Sequence, residues 1–225
     1  PSGVDLAKMK AEVMHEYHQQ HGSSLRDKMF ANIDTLSKLG SAFAPLANGA
    51  TKIPGARTLM EKTVGIAKER SLPTFHATSF VEWFESRGGT AVPEEQADRK
   101  ALLFPDTYTN YNHPEVGRAA VRALEAANVH VRIPDDVAGS GRPPHSKGFL
   151  DKARADAEQN VEALTPHVEA GWDVVLCEPS DAVMFQSDYL DLLSGDDVET
   201  LAANAYGVME YVDTFRLDES LSFQP

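Results

Sequence analysis

A chain of 225 residues with 42% hydrophobic and 24% charged residues has the composition of a folded globular protein, and no apolar run approaches the roughly 20 residues that a membrane span requires. A net charge of −13 and a pI near 5.0 disfavour a nucleic-acid backbone as partner, since that contact needs clustered Lys and Arg. One cysteine, Cys177, excludes an internal disulfide and any cluster or zinc site built from several of the chain's own thiolates.

The polar start Pro1-Ser2-Gly3-Val4-Asp5 leads straight into a helical pattern, which predicts no signal peptide and, by default, a cytoplasmic location. Leu6, Met9, Val13, Met14 and Tyr17 recur at helical spacing behind a capping pair, Ser2 and Asp5, so a first helix is expected to about His21. After Gly22, Ser23 or Ser24 caps a second helix carrying Leu25, Met29, Phe30, Ile33, Leu36 and Leu39, ending at Gly40. A third helical stretch, Arg57 to Ala67, follows the breakers Pro45, Asn48-Gly49 and Pro54-Gly55. Residues 71–100 hold Pro73, Gly88-Gly89 and Pro93 among charged neighbours and read as an irregular linker.

Beyond Lys100 short apolar runs alternate with long amphipathic ones. Ala101 to Phe104 reads as a buried strand, Pro114 to Ala127 as a helix closed by Asn128, and Val129 to Ile133 as a second strand. Ser146 is expected to cap a long helix through about Val168, with Pro166 bending it or ending it early, and Asp173 to Cys177 gives a third strand. A final helix is expected from about Asp196 to Val212. This order predicts an α/β, three-layer domain on a parallel sheet, at 101–225, preceded by a helical connector, 1–70, and the linker, 71–100. Ligands collect at the carboxyl ends of such strands. Three loops meet there: Pro105 to Tyr108, Gly139 to Lys147, and Glu178 to Asp181.

Two of those loops carry motifs, Gly139-Ser140-Gly141-Arg142-Pro143 with Ser146-Lys147-Gly148-Phe149-Leu150-Asp151, and Glu178-Pro179-Ser180-Asp181. Together with Leu103 to Asn112 and Pro114 to Ala120, they resemble the cysteine-rich iron–sulfur region of FAD-linked 2-hydroxyacid dehydrogenases, the D-lactate and glycolate oxidising flavoproteins whose last part is related to heterodisulfide reductase. In that family the motifs read Cys-Cys-Gly-Arg-Pro, Ser-Lys-Gly-x-Leu-Asp and Glu-Pro-Ser-Cys, so Gly139, Ser140 and Asp181 stand at the family's ligand positions without their cysteines. The start of the chain also resembles the stretch after a ferredoxin-type Cys-Pro motif, with Pro1 as the motif's proline. The resemblance implies a parent with FAD and 4Fe-4S clusters, flavin and ferredoxin-type domains or subunits as partners, and a position peripheral to the membrane through them. It implies that electrons leave the hydroxy acid through FAD and the clusters. Glycine offers iron nothing, serine is a poor ligand for it and aspartate is a hard one, so no cofactor is expected on this chain itself and no catalytic residue is assigned. A structural or interaction module that docks flavin or iron–sulfur partners is the alternative.

Other constellations compete with simpler readings. His15, His18 and His21 can share a metal at helical spacing, but successive steps of about 100° per residue fan them, and a solvated helix end is preferred. Ser140, His145 and Asp181 are the residue types of a hydrolytic triad, although Ala138 stands where a nucleophile elbow needs glycine. Arg142, Ser146 and Lys147 suit an anion at a helix start; the simpler reading pairs Arg142 with a local carboxylate such as Asp181. Cys177 reads as an inert core thiol, Asp135-Asp136 and Asp196-Asp197 as turn and cap residues, and Trp83-Phe84 beside Phe80 as a staple on the sheet.

Overall fold

The computed structural model describes residues 5–50, 53 and 55–220. Pro1, Ser2 and Pro54, which enter the expectations above, lie outside them. Four parallel strands, β1 (Arg99–Phe104), β2 (Val129–Arg132), β3 (Asp173–Leu176) and β4 (Ala205–Gly207), form a sheet in the order β2-β1-β3-β4. The register sets Ala101 opposite Asp173 and Phe104 opposite Leu176. The expected α/β fold is present. Residues 101–104 of β1 and 174–176 of β3 are continuous apolar runs because both of their faces are covered.

Alternation along each strand divides the core. Leu102, Phe104, Val174 and Leu176 face one layer, against Ala153, Ala157, Val161 and Leu164 of helix α10 (Leu150–Glu169) and Val198 and Leu201 of α13 (Asp196–Ala203). Ala101, Leu103 and Val175 face the other, against Val121 and Leu124 of α8 (Pro114–Ala126), Phe80 and Phe84 of α6 (Phe80–Ser86), and Tyr211 of α14 (Val208–Thr214). Phe80 and Phe84 thus act as the staple the sequence suggested. α6 lies inside the stretch read as irregular, started by a capping box in which Ser79 and Glu82 satisfy each other's backbone amides.

The segment before the sheet forms α1 (Leu6–His21), α2 (Leu25–Ala31), α3 (Ile33–Ala42), α4 (Ala44–Ala50) and α5 (Ala56–Val64). Asp5 itself caps α1, accepting from the amides of Ala7 and Lys8, rather than serving as the inner member of a pair with Ser2. The second expected helix is broken in two at Asn32, whose side chain donates to the Lys28 carbonyl and competes with continuation. The third ends at Gly65, whose left-handed φ of 69° closes α5 before Ala67. A strap at residues 74–76 ties the helices to the sheet. Asn48 bonds both the amide and carbonyl of Phe75, and the His76 amide donates to the Tyr111 carbonyl in α7 (Thr107–Tyr111).

Three further expectations are corrected. Ser146 does not start the long helix: it ends a short one, α9 (Arg142–Ser146), and α10 begins only after Gly148 turns the chain at φ 74°. Pro166 does not end α10, which runs three residues past it to Glu169 and forgoes only the hydrogen bond that the missing N–H would have made. The expected final helix is α13, then strand β4, then α14. Asp196 does open α13, and Asp136 occupies a turn at φ 56°.

Candidate functional site

The carboxyl edge of the sheet carries three polar loops. After β1, Asp106 caps α7 by accepting the Thr109 amide through Oδ1 at 2.8 Å, while its Oδ2 is buried without a hydrogen-bond partner. After β2, residues 133–141 run to α9. After β3, Glu178 caps α11 (Pro179–Val183) by accepting from the amide and hydroxyl of Ser180 at 3.4 and 3.0 Å.

These loops meet where the motifs placed them. The Ser140 hydroxyl donates to Asp181 Oδ1 at 2.8 Å and accepts the Arg142 amide at 3.3 Å. The loop is pinned from α10: buried Asn160 accepts the Ala138 amide at 2.9 Å and donates to the Gly139 carbonyl at 3.0 Å and the Tyr189 hydroxyl at 2.8 Å. Tyr189, first residue of α12 (Tyr189–Leu192), donates in turn to the Ser140 carbonyl at 2.9 Å. Asn160 and Tyr189 escaped the sequence reading. Their one signal was a polar residue, Asn160, on the Ala153-Ala157-Leu164 apolar face of a helix.

Burial dominates the electrostatics. It pushes the Asp181 carboxyl from its ordinary 3.8 up to about 7, helped by the charges of Asp106 and Glu178 and opposed by the Ser140 hydroxyl and Arg142. Burial also raises the Asp106 carboxyl, against the Thr109 hydrogen bonds, and raises the Tyr189 phenol. The Cys177 thiol is pushed up to about 12 by burial and by Asp106, as an unreactive thiol would be.

The competing constellations resolve differently. Ser140 spends its hydroxyl on Asp181 and none of its bonds on His145, whose imidazole burial holds below its ordinary value; no nucleophile–base contact is assembled. Arg142 pairs not with Asp181 but with buried Asp188 at 2.6 Å, which Lys8 approaches at 3.8 Å while it also pairs with Asp191. Lys147 sits 3.5 Å from Asp27, and Ser146 is exposed at the end of α9, so each member of the expected anion group is engaged elsewhere or outward. His15 and His18 dock α1 on the turn before α10, reaching the Gly148 and Lys147 carbonyls at 3.2 and 3.0 Å, whereas His21 contacts the Tyr17 carbonyl of its own helix. The first two are therefore not a solvated helix end. Among the described residues, no group of three or more His, Cys, Asp or Glu side chains is arranged to hold a metal ion.

The donor set does not suit an iron–sulfur cluster. Gly139 presents no side chain, Ser140 and Asp181 are bonded to each other, and the one thiol lies in the chain turn ahead of Glu178 with its proton held firmly. What the edge does present is a cavity of about 1050 Å³ between the sheet and the preceding helices. Asp106, Ser140, Arg142, Glu178 and Asp181 line one side; Met29, Phe30, Ile33, Leu36 and Phe75 are among the apolar residues lining the other.

Similarity to known proteins extends over most of the chain. It is 28% identical over 198 residues to one subunit of the anaerobic glycerol-3-phosphate dehydrogenase of Escherichia coli, covering 88% of this chain and 49% of that protein. It is 24% identical over 202 residues to D-2-hydroxyglutarate dehydrogenase of Haemophilus influenzae, covering 86% of this chain and 19% of that protein. The corresponding Escherichia coli D-2-hydroxyglutarate dehydrogenase is 23% identical over 198 residues. The chain thus spans about half the length of one relative and a fifth of the others. No protein-family model matches it, and no solved structure matches it significantly. Among the described residues, no helix is long and apolar enough to cross a membrane.

Proposed function

We propose that this chain is a segment of an FAD- and iron–sulfur-dependent 2-hydroxyacid oxidoreductase, from an electron-transfer domain that has lost its cluster ligands. The observation that carries the reading is the 2.8 Å hydrogen bond from Ser140 to Asp181. It joins, across 41 residues of sequence, the positions at which the resembling family sets its thiolates, so the scaffold of a cluster site persists while a polar pair replaces the ligands. Similarity to dehydrogenase chains of greater length supports the same parentage. FAD and the clusters would belong to flavin and ferredoxin-type domains or subunits, and attachment to them would give the chain a cytoplasmic, membrane-peripheral position.

What these residues do is structural: Asn160 and Tyr189 hold the loop at 138–140, and Ser140 fixes Asp181. Restoring three cysteines tests the reading. A Cβ at Gly139 would meet Asp34 no closer than 3.5 Å, an ordinary contact, so Gly139→Cys fits. The triple variant Gly139→Cys, Ser140→Cys, Asp181→Cys, reconstituted anaerobically with iron and sulfide, should acquire both with visible charge-transfer absorption. A folded triple variant that stays free of iron would overturn the degenerate-site reading.

A second reading, a module that docks flavin or iron–sulfur partners without carrying electrons, is favoured by one surface. Leu6, Met9, Val13 and Tyr17 are exposed on α1 at helical spacing, an apolar stripe that soluble surfaces seldom leave uncovered. Under this reading Met9→Glu with Val13→Glu abolishes co-purification with a flavin or cluster partner and leaves the fold intact.

A further inference from the structure

We propose that, independently of any dehydrogenase parentage, the cavity between the helices α2 to α5 and the carboxyl edge of the sheet binds a small organic cation with an apolar body, of the arylalkylammonium class. A volume of about 1050 Å³ is at the size of sites that enclose a small molecule. On the helical side Met29, Phe30, Ile33, Leu36 and Leu72 give it an apolar wall, with Arg57, Lys68, Glu69 and Arg70 also in the lining. Ligand contact with such walls supplies affinity but no orientation.

Orientation comes from the sheet edge, where three carboxyl groups, Asp106, Glu178 and Asp181, line the cavity. The protein leaves this end acidic. Arg142, the cation on that side, is already paired with Asp188 at 2.6 Å. Asp106 is 1% exposed and its Oδ2 has no hydrogen-bond donor among the described residues. Asp181 receives one neutral hydroxyl, from Ser140. Arg57, Lys68 and Arg70 also line the cavity, from the helical side; Arg57 donates to the carbonyls of Ala67, Lys68 and Arg70, Lys68 lies 3.8 Å from Glu69, Arg70 is exposed, and none of the three forms an ion pair with Asp106, Glu178 or Asp181. An ammonium group donating toward the carboxyl end, with its hydrocarbon along Ile33 and Leu36, completes both halves. A metal ion would answer the charge only, and no three carboxylates among the described residues are grouped to hold one.

The test uses the full chain at pH 8 with four probes, by calorimetric titration and thermal melting: 4-phenylbutylammonium, the neutral 4-phenylbutanol, the anionic 4-phenylbutyrate, and ethylammonium, which has the charge without the body. The expected order is the aryl amine first, the alcohol at least about tenfold weaker for want of one charge-assisted hydrogen bond, and no binding of the other two. Asp181→Asn should reduce the amine-to-alcohol preference severalfold while leaving alcohol affinity unchanged. If that variant does not fold, Glu178→Gln carries the same expectation. 4-Phenylbutyrate binding as tightly as the amine, ethylammonium equalling it, an unchanged preference in a folded variant, or no binding of any probe would each overturn the proposal.

Discussion

Asp181 gives the sharpest quantitative test of the site. Its carboxyl titrates near 7 in the folded chain against 3.8 ordinarily, because burial disfavours the anion; Asp106 and Glu178 reinforce the shift, and Ser140 and Arg142 oppose it. The folded value lies above the unfolded one, so the folded chain keeps this proton longer. Its contribution is fully present below about pH 4 and is lost as pH rises to about 7, beyond which it stays lost. The interval corresponds to at most about 4 kcal/mol at pH 8, reduced by relaxation of the site. Asp181→Asn removes the titration and keeps an Oδ1 acceptor for the Ser140 hydroxyl. Urea unfolding of variant and parent from pH 5 to pH 8 should show the variant gaining on the parent by about 2–3 kcal/mol across the range. Parallel stability profiles would refute the claim that Asp181 is a buried acid whose ionisation the fold resists.

Gly148→Ala should release α1, since a Cβ there would lie 2.6 Å from Met14 Cβ and 2.8 Å from the His15 amide nitrogen, at a left-handed φ of 74°. Hydrogen exchange should show α1 losing protection while the sheet keeps it, with a cost of at least about 1 kcal/mol. Asn160→Ala strands the Ala138 amide, the Gly139 carbonyl and part of the Tyr189 hydroxyl's bonding, and should cost about 2–4 kcal/mol in denaturant unfolding. Cys177, its thiol pushed up to about 12, should react with a disulfide reagent at pH 8 on the order of a thousandfold more slowly than a free cysteine, and at the ordinary rate once unfolded.

The parallel sheet was legible because residues 101–104 of β1 and 174–176 of β3 are buried on both faces and read as unbroken apolar runs. β4 was not: three residues, Ala205–Gly207, are too few for a period of two to show between helices on either side. α9 was hidden by Pro143 and Pro144, which look like breakers, yet both fall in a first helical turn, where backbone N–H groups have no intrahelical partner to lose. Convergence of the three loops followed from topology alone; the Ser140–Asp181 contact joins two of them, and Asp106 of the third lines the same cavity. The supports of that contact, Asn160 and Tyr189, were out of reach because each is joined to the loop across 20 residues or more. Long-range charge pairing was equally opaque: nothing local to Arg142 distinguishes Asp188 from Asp181 as its partner.

The central claim, a cluster scaffold without its ligands, is tested most directly by iron and acid-labile sulfide analysis of the unaltered chain, purified anaerobically and offered both elements. The account predicts iron and sulfide at far below one equivalent per chain and no charge-transfer absorption. Stoichiometric iron with matching sulfide would contradict it.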